Sequence, residues 1–182
     1  APVWNGSINN GKLSGSTYTL NLIGTDETKL QQTTLSTSNV SVTVGGKSAS
    51  FSFSNRGQGQ LSNNNKTITF GMTISNFTGG NVTITINAGA LKDTSNNLSV
   101  AKTYSFSKDV TPPTWNSKIT STSYKNSIYT VNVTGTDETA LNNSASVLNY
   151  DNMLVTVNGT KVTQSNLVFG STSISSDNKT KT

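Results

Sequence analysis

Gly24-Thr25-Asp26-Glu27-Thr28 decides how this chain is read, because it returns as Gly135-Thr136-Asp137-Glu138-Thr139. The offset is 111 residues (135 − 24), and Pro2/Pro113, Trp4/Trp115, Ile8/Ile119, Tyr18/Tyr129 and Leu30/Leu141 all keep it. Ungapped register from Pro2 to Leu30 is not chance similarity, so the chain is one module followed by a second copy of itself. The expected domains are residues 1–110 and 111–182.

Composition sets the class. Hydrophobic residues are 31% and charged residues 12% of the chain, below the globular norms of roughly 45–50% and about 25%. Ser, Thr and Asn fill nearly half the positions. Disorder with such a bias comes with few β-branched and aromatic residues. Here Val, Ile, Thr, Phe and Tyr recur in alternating runs, so the polar residues read as solvent faces of strands and as turns. The chain has no Cys and no His. That excludes disulfides, thiolate metal sites, a cysteine nucleophile, Ser-His-Asp triads and His-ligated zinc. The net charge of +5 is scattered over 13 Lys and Arg, without the basic run that tracks phosphates, so nucleic acid is not an expected partner. No apolar segment approaches the ~20 residues that span a bilayer. The chain begins at Ala1 without a Met or signal peptide, which reads as a mature or excised fragment.

Alternation outward from the repeated stretch predicts strands. Tyr18–Ile23 runs into Gly24, preceded by a weaker strand over Ile8–Leu13. After a polar loop from Thr25 to Ser38, Val40, Val42 and Val44 alternate with Ser41 and Thr43. Gly45-Gly46 is a hairpin signal, with Ala49–Phe53 returning. Asn55–Asn65 reads as loop, then come Thr67–Ile74, a Gly79-Gly80 break, Val82–Ile86, a turn-rich connector over Ala88–Asn97, and Val100–Phe106. Seven short strands without a helix-period segment predict an all-β fold: tandem immunoglobulin-like β-sandwiches, the second one incomplete. Lys108–Pro113 is the linker, stiffened by Pro112-Pro113. In the second copy, Asn158-Gly159 stands where the first has Gly45-Gly46, and the offset becomes 113 (158 − 45).

Pro112-Pro113-Thr114-Trp115, the Gly-Thr-Asp loop and Ala88-Gly89-Ala90-Leu91-Lys92-Asp93-Thr94-Ser95-Asn96-Asn97 together resemble the bacterial immunoglobulin-like repeats of secreted and cell-surface proteins. The resemblance spans the first copy and the front of the second. It implies an extracellular or cell-surface location and a non-enzymatic role as stalk, spacer or adhesive module, with neighbouring repeats of the parent chain as partners. Such repeats occur in adhesins, in S-layer proteins and between enzyme domains. A module that binds a glycan or host protein through its N-terminal-pole loops, and an S-layer subunit fragment, are the alternatives. The fold itself carries many roles.

Strands of alternating direction return the loops after the second, fourth and sixth strands to one pole, which places Asp26 and Glu27 beside Asp93. Asp137 and Glu138 take the same place in the second copy, near linker residue Asp109. No cofactor is required. The candidate ion is Ca2+, held by Asp26, Glu27 and Asp93, or by Asp109, Asp137 and Glu138, since hard cations collect carboxylate, Asn and carbonyl oxygens. The competing reading is that these carboxylates cap their own turns. Adjacent Asp26 and Glu27 in an open loop do not make a hydrolase pair, which needs two acids across a cleft. Trp4 and Trp115 are expected to pack structurally in matching environments rather than to stack on sugars. Tyr104 and Phe106 read as core. Lys12, Lys47 and Lys102 are the amines available for a Lys–Asn isopeptide bond. Asp177-Asn178-Lys179-Thr180 aligns with Asn64-Asn65-Lys66-Thr67, so counterparts of the last three strands are missing. The expected reason is a repeat cut short, the alternative being strands supplied by another chain.

Overall fold

Tyr18, Leu20 and Leu22 alternate with Thr19, Asn21 and Ile23, and the chain there becomes a nine-residue strand, Thr17–Thr25, with the first set buried. Aromatic and branched side chains at every second position suit a pleated surface with one shielded face. The computed structural model describes residues 1–119, 121–141, 148–149 and 151–182. It is all-β and separates into two compact units, Ala1–Val110 and Thr111–Thr182. Among the described residues no helix is long and apolar enough to cross a membrane.

The first unit contains β1 (Val3–Trp4), β2 (Asn9–Ser14), β3 (Thr17–Thr25), β4 (Val40–Val44), β5 (Lys47–Ser48), β6 (Phe51–Phe53), β7 (Gln60–Leu61), β8 (Thr67–Ile74), β9 (Gly80–Ile86) and β10 (Lys102–Lys108). One sheet runs β1-β3-β8-β6, with β2 also on β3 and β7 also on β8. The other runs β10-β9-β4-β5. All pairings are antiparallel. Ile68, Phe70, Met72 and Ile74 of β8 meet Val82, Ile84 and Ile86 of β9 in one hydrophobic core. Trp4 packs on Phe70 with ring centroids 5.9 Å apart. Gly45 and Gly46 both have positive φ, 57° and 78°, which a two-residue turn matched to the strand twist requires.

The strands differ from the expected seven at their margins. Two-residue β1 and β7 are too short to carry a period. The expected Ala49–Phe53 strand divides into β5 on one sheet and β6 on the other. The last strand starts at Lys102 rather than Val100, whose side chain is 74% exposed. Tyr104 is core, while Phe106 is half-buried against it. The loops are less polar inside than their composition suggests: Leu30, Leu35 and Leu91 are 1–2% exposed and close the ends of the core.

The second unit contains β11 (Thr114–Trp115), β12 (Ser121–Lys125), β13 (Ile128–Asn132), β14 (Gly135–Thr136), β15 (Thr156–Val157), β16 (Thr160–Lys161) and β17 (Thr180–Lys181). Its register repeats the first. Trp115 opposes Gly135 as Trp4 opposes Gly24, and Gly135 opposes Lys181 as Gly24 opposes Ile68. The two residues by which the copies differ in length fall between Leu141 and Asn149, mostly outside the described residues.

The expected match between Trp4 and Trp115 holds for the backbone and fails for the side chains. Trp4 is 7% exposed and Trp115 is 60% exposed. The register that equates Lys181 with Ile68 puts the counterpart of Phe70 one place past Thr182, so the ring that covers Trp4 has no equivalent in these residues.

Candidate functional site

Asp26 follows β3 and closes a tight Asx turn. Its Oδ1 accepts from the Thr28 amide at 2.9 Å and the Thr28 hydroxyl at 2.6 Å. Those bonds, the hydroxyl's first, hold its carboxyl below the usual carboxylate range. Asp93 sits in the connector between β9 and β10 and is 2% exposed. Its Oδ1 accepts from the amides of Ser95 (2.9 Å) and Asn97 (2.8 Å), and its Oδ2 accepts from Asn97 Nδ2 at 2.7 Å. The bond from the Asn97 side chain is the largest cause of its lowered pKa, working against desolvation. Carboxylates that accept several N–H bonds are stabilised in their charged form.

Two backbone bonds and one from a side chain zip these two loops together. Gln31 N donates to Lys92 O at 2.8 Å, Thr94 N donates to Lys29 O at 2.9 Å, and Gln31 Nε2 donates to Asp93 O at 2.8 Å. Beside the seam lies an open cleft of about 530 Å3, lined by Ala1, Val3, Thr25–Thr28, Asp93, Ser95 and Asn97. Asp26, Glu27 and Asp93 are thus brought to one cleft of the first unit. The ammonium of Ala1 stands 3.8 Å from Asp26 Oδ2. Leu30 and Leu91 anchor the loops from beneath. The repeat marks Leu30, through its identity with Leu141, but carries no signal for Leu91.

The remaining candidates divide between the units. Asp109 belongs to the first. In the second, Asp137 Oδ1 accepts from the amides of Thr139 (2.9 Å) and Ala140 (3.1 Å) and from the Thr139 hydroxyl (2.8 Å), repeating the Asp26 turn. Glu138 Oε1 accepts from the Thr111 hydroxyl at 2.6 Å. Among the described residues, no three His, Cys, Asp or Glu side chains gather closely enough to hold a metal ion. The carboxylate oxygens that a cation would need are largely engaged by their own turns. Lys12 and Lys47 are exposed, and half-buried Lys102 places its Nζ 5.3 Å from the Tyr104 ring centroid. None is the enclosed amine that an isopeptide bond needs. Tyr104 donates its hydroxyl to Asn5 O at 2.9 Å, and burial pushes its pKa up to about 12. That ties β10 to the segment after β1 and marks the ring as structural.

No protein-family model matches this chain, and no curated protein matches it.

Proposed function

We propose that the chain is a pair of tandem immunoglobulin-like repeats from a bacterial cell-surface or secreted protein, acting without catalysis as a stalk or spacer. The observation that carries this reading is the repetition of one strand register in two units of one chain. The strand order of the first unit supports the fold assignment. With β2, β3, β8 and β6 as strands A, B, E and D, and β10, β9, β4 and β5 as G, F, C and C′, the two sheets have the order of an immunoglobulin sandwich. A spacer needs a module that resists extension, and two sheets sharing one core meet that need. Neighbouring repeats are then its partners and the extracellular surface its place.

Pulling a single chain by its ends tests this. The first unit, 110 residues long, should give way in one cooperative step of roughly 350 Å, at about 3.3–3.6 Å per extended residue. Gradual extension without a step would sink the spacer reading.

The cleft beside Asp26, Glu27 and Asp93 favours a second reading, a module that holds a glycan or host-protein segment in its terminal loops. A glycan array probed with the chain separates the two, because a spacer gives no saturable signal. A signal lost on Glu27→Gln would replace the first reading with the second. Calcium in this cleft belongs to the second reading. It would raise the melting temperature at millimolar concentration by mass action, EDTA would reverse the rise, and Asp93→Asn would abolish it.

A further inference from the structure

We propose that the outer edge of β10, in the first unit, is a strand-addition site for an extended peptide segment with a carboxylate at each end and apolar side chains between. Backbone parity places it. The ladder between β4 and β9 bonds through odd-numbered residues, since Asn87 N donates to Asn39 O at 2.9 Å and Gly45 N donates to Asn81 O at 2.8 Å in the same register. Bonded and non-bonded pairs alternate along an antiparallel ladder. The even-numbered residues of β9 therefore turn to β10 and bond to Lys102, Tyr104, Phe106 and Lys108. The N–H and C=O groups of Thr103, Ser105 and Ser107 are left facing away from β9. Among the described residues no strand pairs with that side, and none of these groups joins a loop bond. The Tyr104 hydroxyl donates to Asn5 O, but no described backbone bond joins the segment after β1 to β10. Edges are usually blunted by Pro, bulges or short length. β10 runs for seven residues without Pro or register shift, whereas the ladder of β2 shifts between Asn9 and Lys12.

The side chains define the occupant. In an added antiparallel strand, the residues facing Lys102, Tyr104, Phe106 and Lys108 form the non-hydrogen-bonded pairs, whose side chains come closest. Lys102 and Lys108 stand at the two ends of β10, and neither makes an ion pair among the described residues. Between them Phe106 is only half-buried against the core. The complement is an acid, two apolar residues at every second position, and a second acid, with polar residues interleaved beside exposed Thr103, Ser105 and Ser107. Main-chain bonds would give affinity, and the paired charges and the cover over Phe106 would give specificity. A second copy is a poor occupant. Two β10 strands paired in antiparallel would set Lys102 of each against Lys108 of the other, and like charges directly opposite are destabilising. The lysines that repel a copy of this edge are the groups that attract an acid-ended segment.

The probe is a capped synthetic peptide with Glu at its first and seventh positions, Val at the third and fifth, and Thr at the others, titrated into the full 182-residue chain. The readout is the amide resonances of β10. The expected result is a saturable shift and slowed hydrogen exchange at Thr103, Ser105 and Ser107, with smaller changes at Tyr104 and Phe106, whose amides already bond to β9. A peptide with Lys in place of both Glu should bind about tenfold or more weakly, because both end pairs turn from attraction to repulsion. That exchange is made in the peptide, so the result does not depend on a variant protein folding. Joint Lys102→Glu and Lys108→Glu substitution should reverse the order of the two peptides. No saturable shift at the three amides, or equal binding of the two peptides by the parent chain, would overturn the proposal. Shifts of the same amides that grow with chain concentration in the absence of peptide would also overturn it, by making a second copy the occupant.

Discussion

The two units run the same turns and end with different interiors. Asp26 N donates to Lys66 O at 3.0 Å, and Asp137 N donates to Lys179 O at 3.0 Å. Leu30 N donates to Asn65 O at 2.7 Å, and Leu141 N donates to Asn178 O at 2.7 Å. Yet Tyr18 is 6% exposed and Tyr129 63%. Every fully shielded hydrophobic side chain among the described residues lies in the first unit. Short-range chemistry, Asx turns and positive-φ residues, is enough to set the backbone path. Removal from water depends on strands far along the chain, here β8, β9 and β10. Local sequence adds one further difference. Gly11 lies where a Cβ would overlap the Tyr18 hydroxyl, and the ladder there is irregular between Asn9 and Lys12. The second copy has Thr122 at that place, and its β12–β13 ladder runs without a shift.

The largest expected break in the comparison is at the tryptophans. Trp4→Ala removes a ring buried against Phe70 and should cost about 3–5 kcal/mol. Trp115→Ala, at 60% exposure, should stay within about 0.5 kcal/mol. Urea unfolding followed separately for each unit by resolved amide signals measures both. Equal costs would mean that Trp115 is covered in solution. Trp4 Nε1 is buried without a hydrogen-bond partner, an unmet donor that opposes the gain from packing. Trp4→Phe should therefore be much milder than Trp4→Ala.

A glycine pair gives the next effect. Gly57 has φ +84°, and an added Cβ would lie 1.9 Å from the Leu35 carbonyl oxygen. That carbonyl belongs to a loop whose Leu35 amide donates to Gly57 O at 2.9 Å, so neither backbone can yield cheaply. Gly57→Ala should cost more than about 1 kcal/mol, the strain of a left-handed non-glycine residue alone. Gly170, its counterpart by the 113-residue offset, has nothing within 4 Å of its added Cβ and lies outside the left-handed region. Gly170→Ala should be neutral or gain up to about 1 kcal/mol by restricting the unfolded chain. Thermal denaturation of the two variants decides it. A large loss at Gly170 would mean that the two loops share more than their spacing.

What the sequence made legible was whatever repeats every two residues or returns at a fixed offset. β3, β4, β8 and β9 could be read from alternation, and the two units from the repeat. Leu35 and Leu91 escaped because a lone apolar residue in a loop has no period, and Leu30 was marked only by its return as Leu141. β1 and β7 escaped because two residues cannot alternate. The exposure of Tyr129 was illegible for a different reason. Tyr129, Val131 and Val133 alternate just as Tyr18, Leu20 and Leu22 do, and nothing local says whether a strand arrives to cover them. Around the cleft, alternating strand direction was enough to bring Asp26, Glu27 and Asp93 to one end. The engagement of Asp93 by Asn97 depends on side-chain geometry that spacing does not carry.

The smallest expected effect is the response to acid. Asp26 and Asp93 in the first unit and Asp177 in the second have carboxyls held below their ordinary value. The leading causes are hydrogen bonds from the Thr28 hydroxyl, the Asn97 side chain and the Ser175 hydroxyl respectively. A lowered folded pKa means that the native state binds fewer protons than the unfolded chain. Its stabilisation is complete above the unfolded value near 3.9 and is lost as pH falls through the folded value. Asp26 and Asp93 in the first unit stand against Asp177 in the second, so acid should narrow the difference in stability between them. In the first unit the melting temperature should hold from pH 7 to about pH 5 and then fall, since Asp titration begins about one unit above its unfolded value. Asp93→Asn keeps a carbonyl oxygen for the Ser95 and Asn97 amides but turns an amide toward the Asn97 amide. It should melt lower at pH 7 and fall less steeply below pH 5. A variant that loses stability with the same steepness as the parent would show that Asp93 binds protons equally in the folded and unfolded states across this range, and that the acid response of the first unit belongs to Asp26.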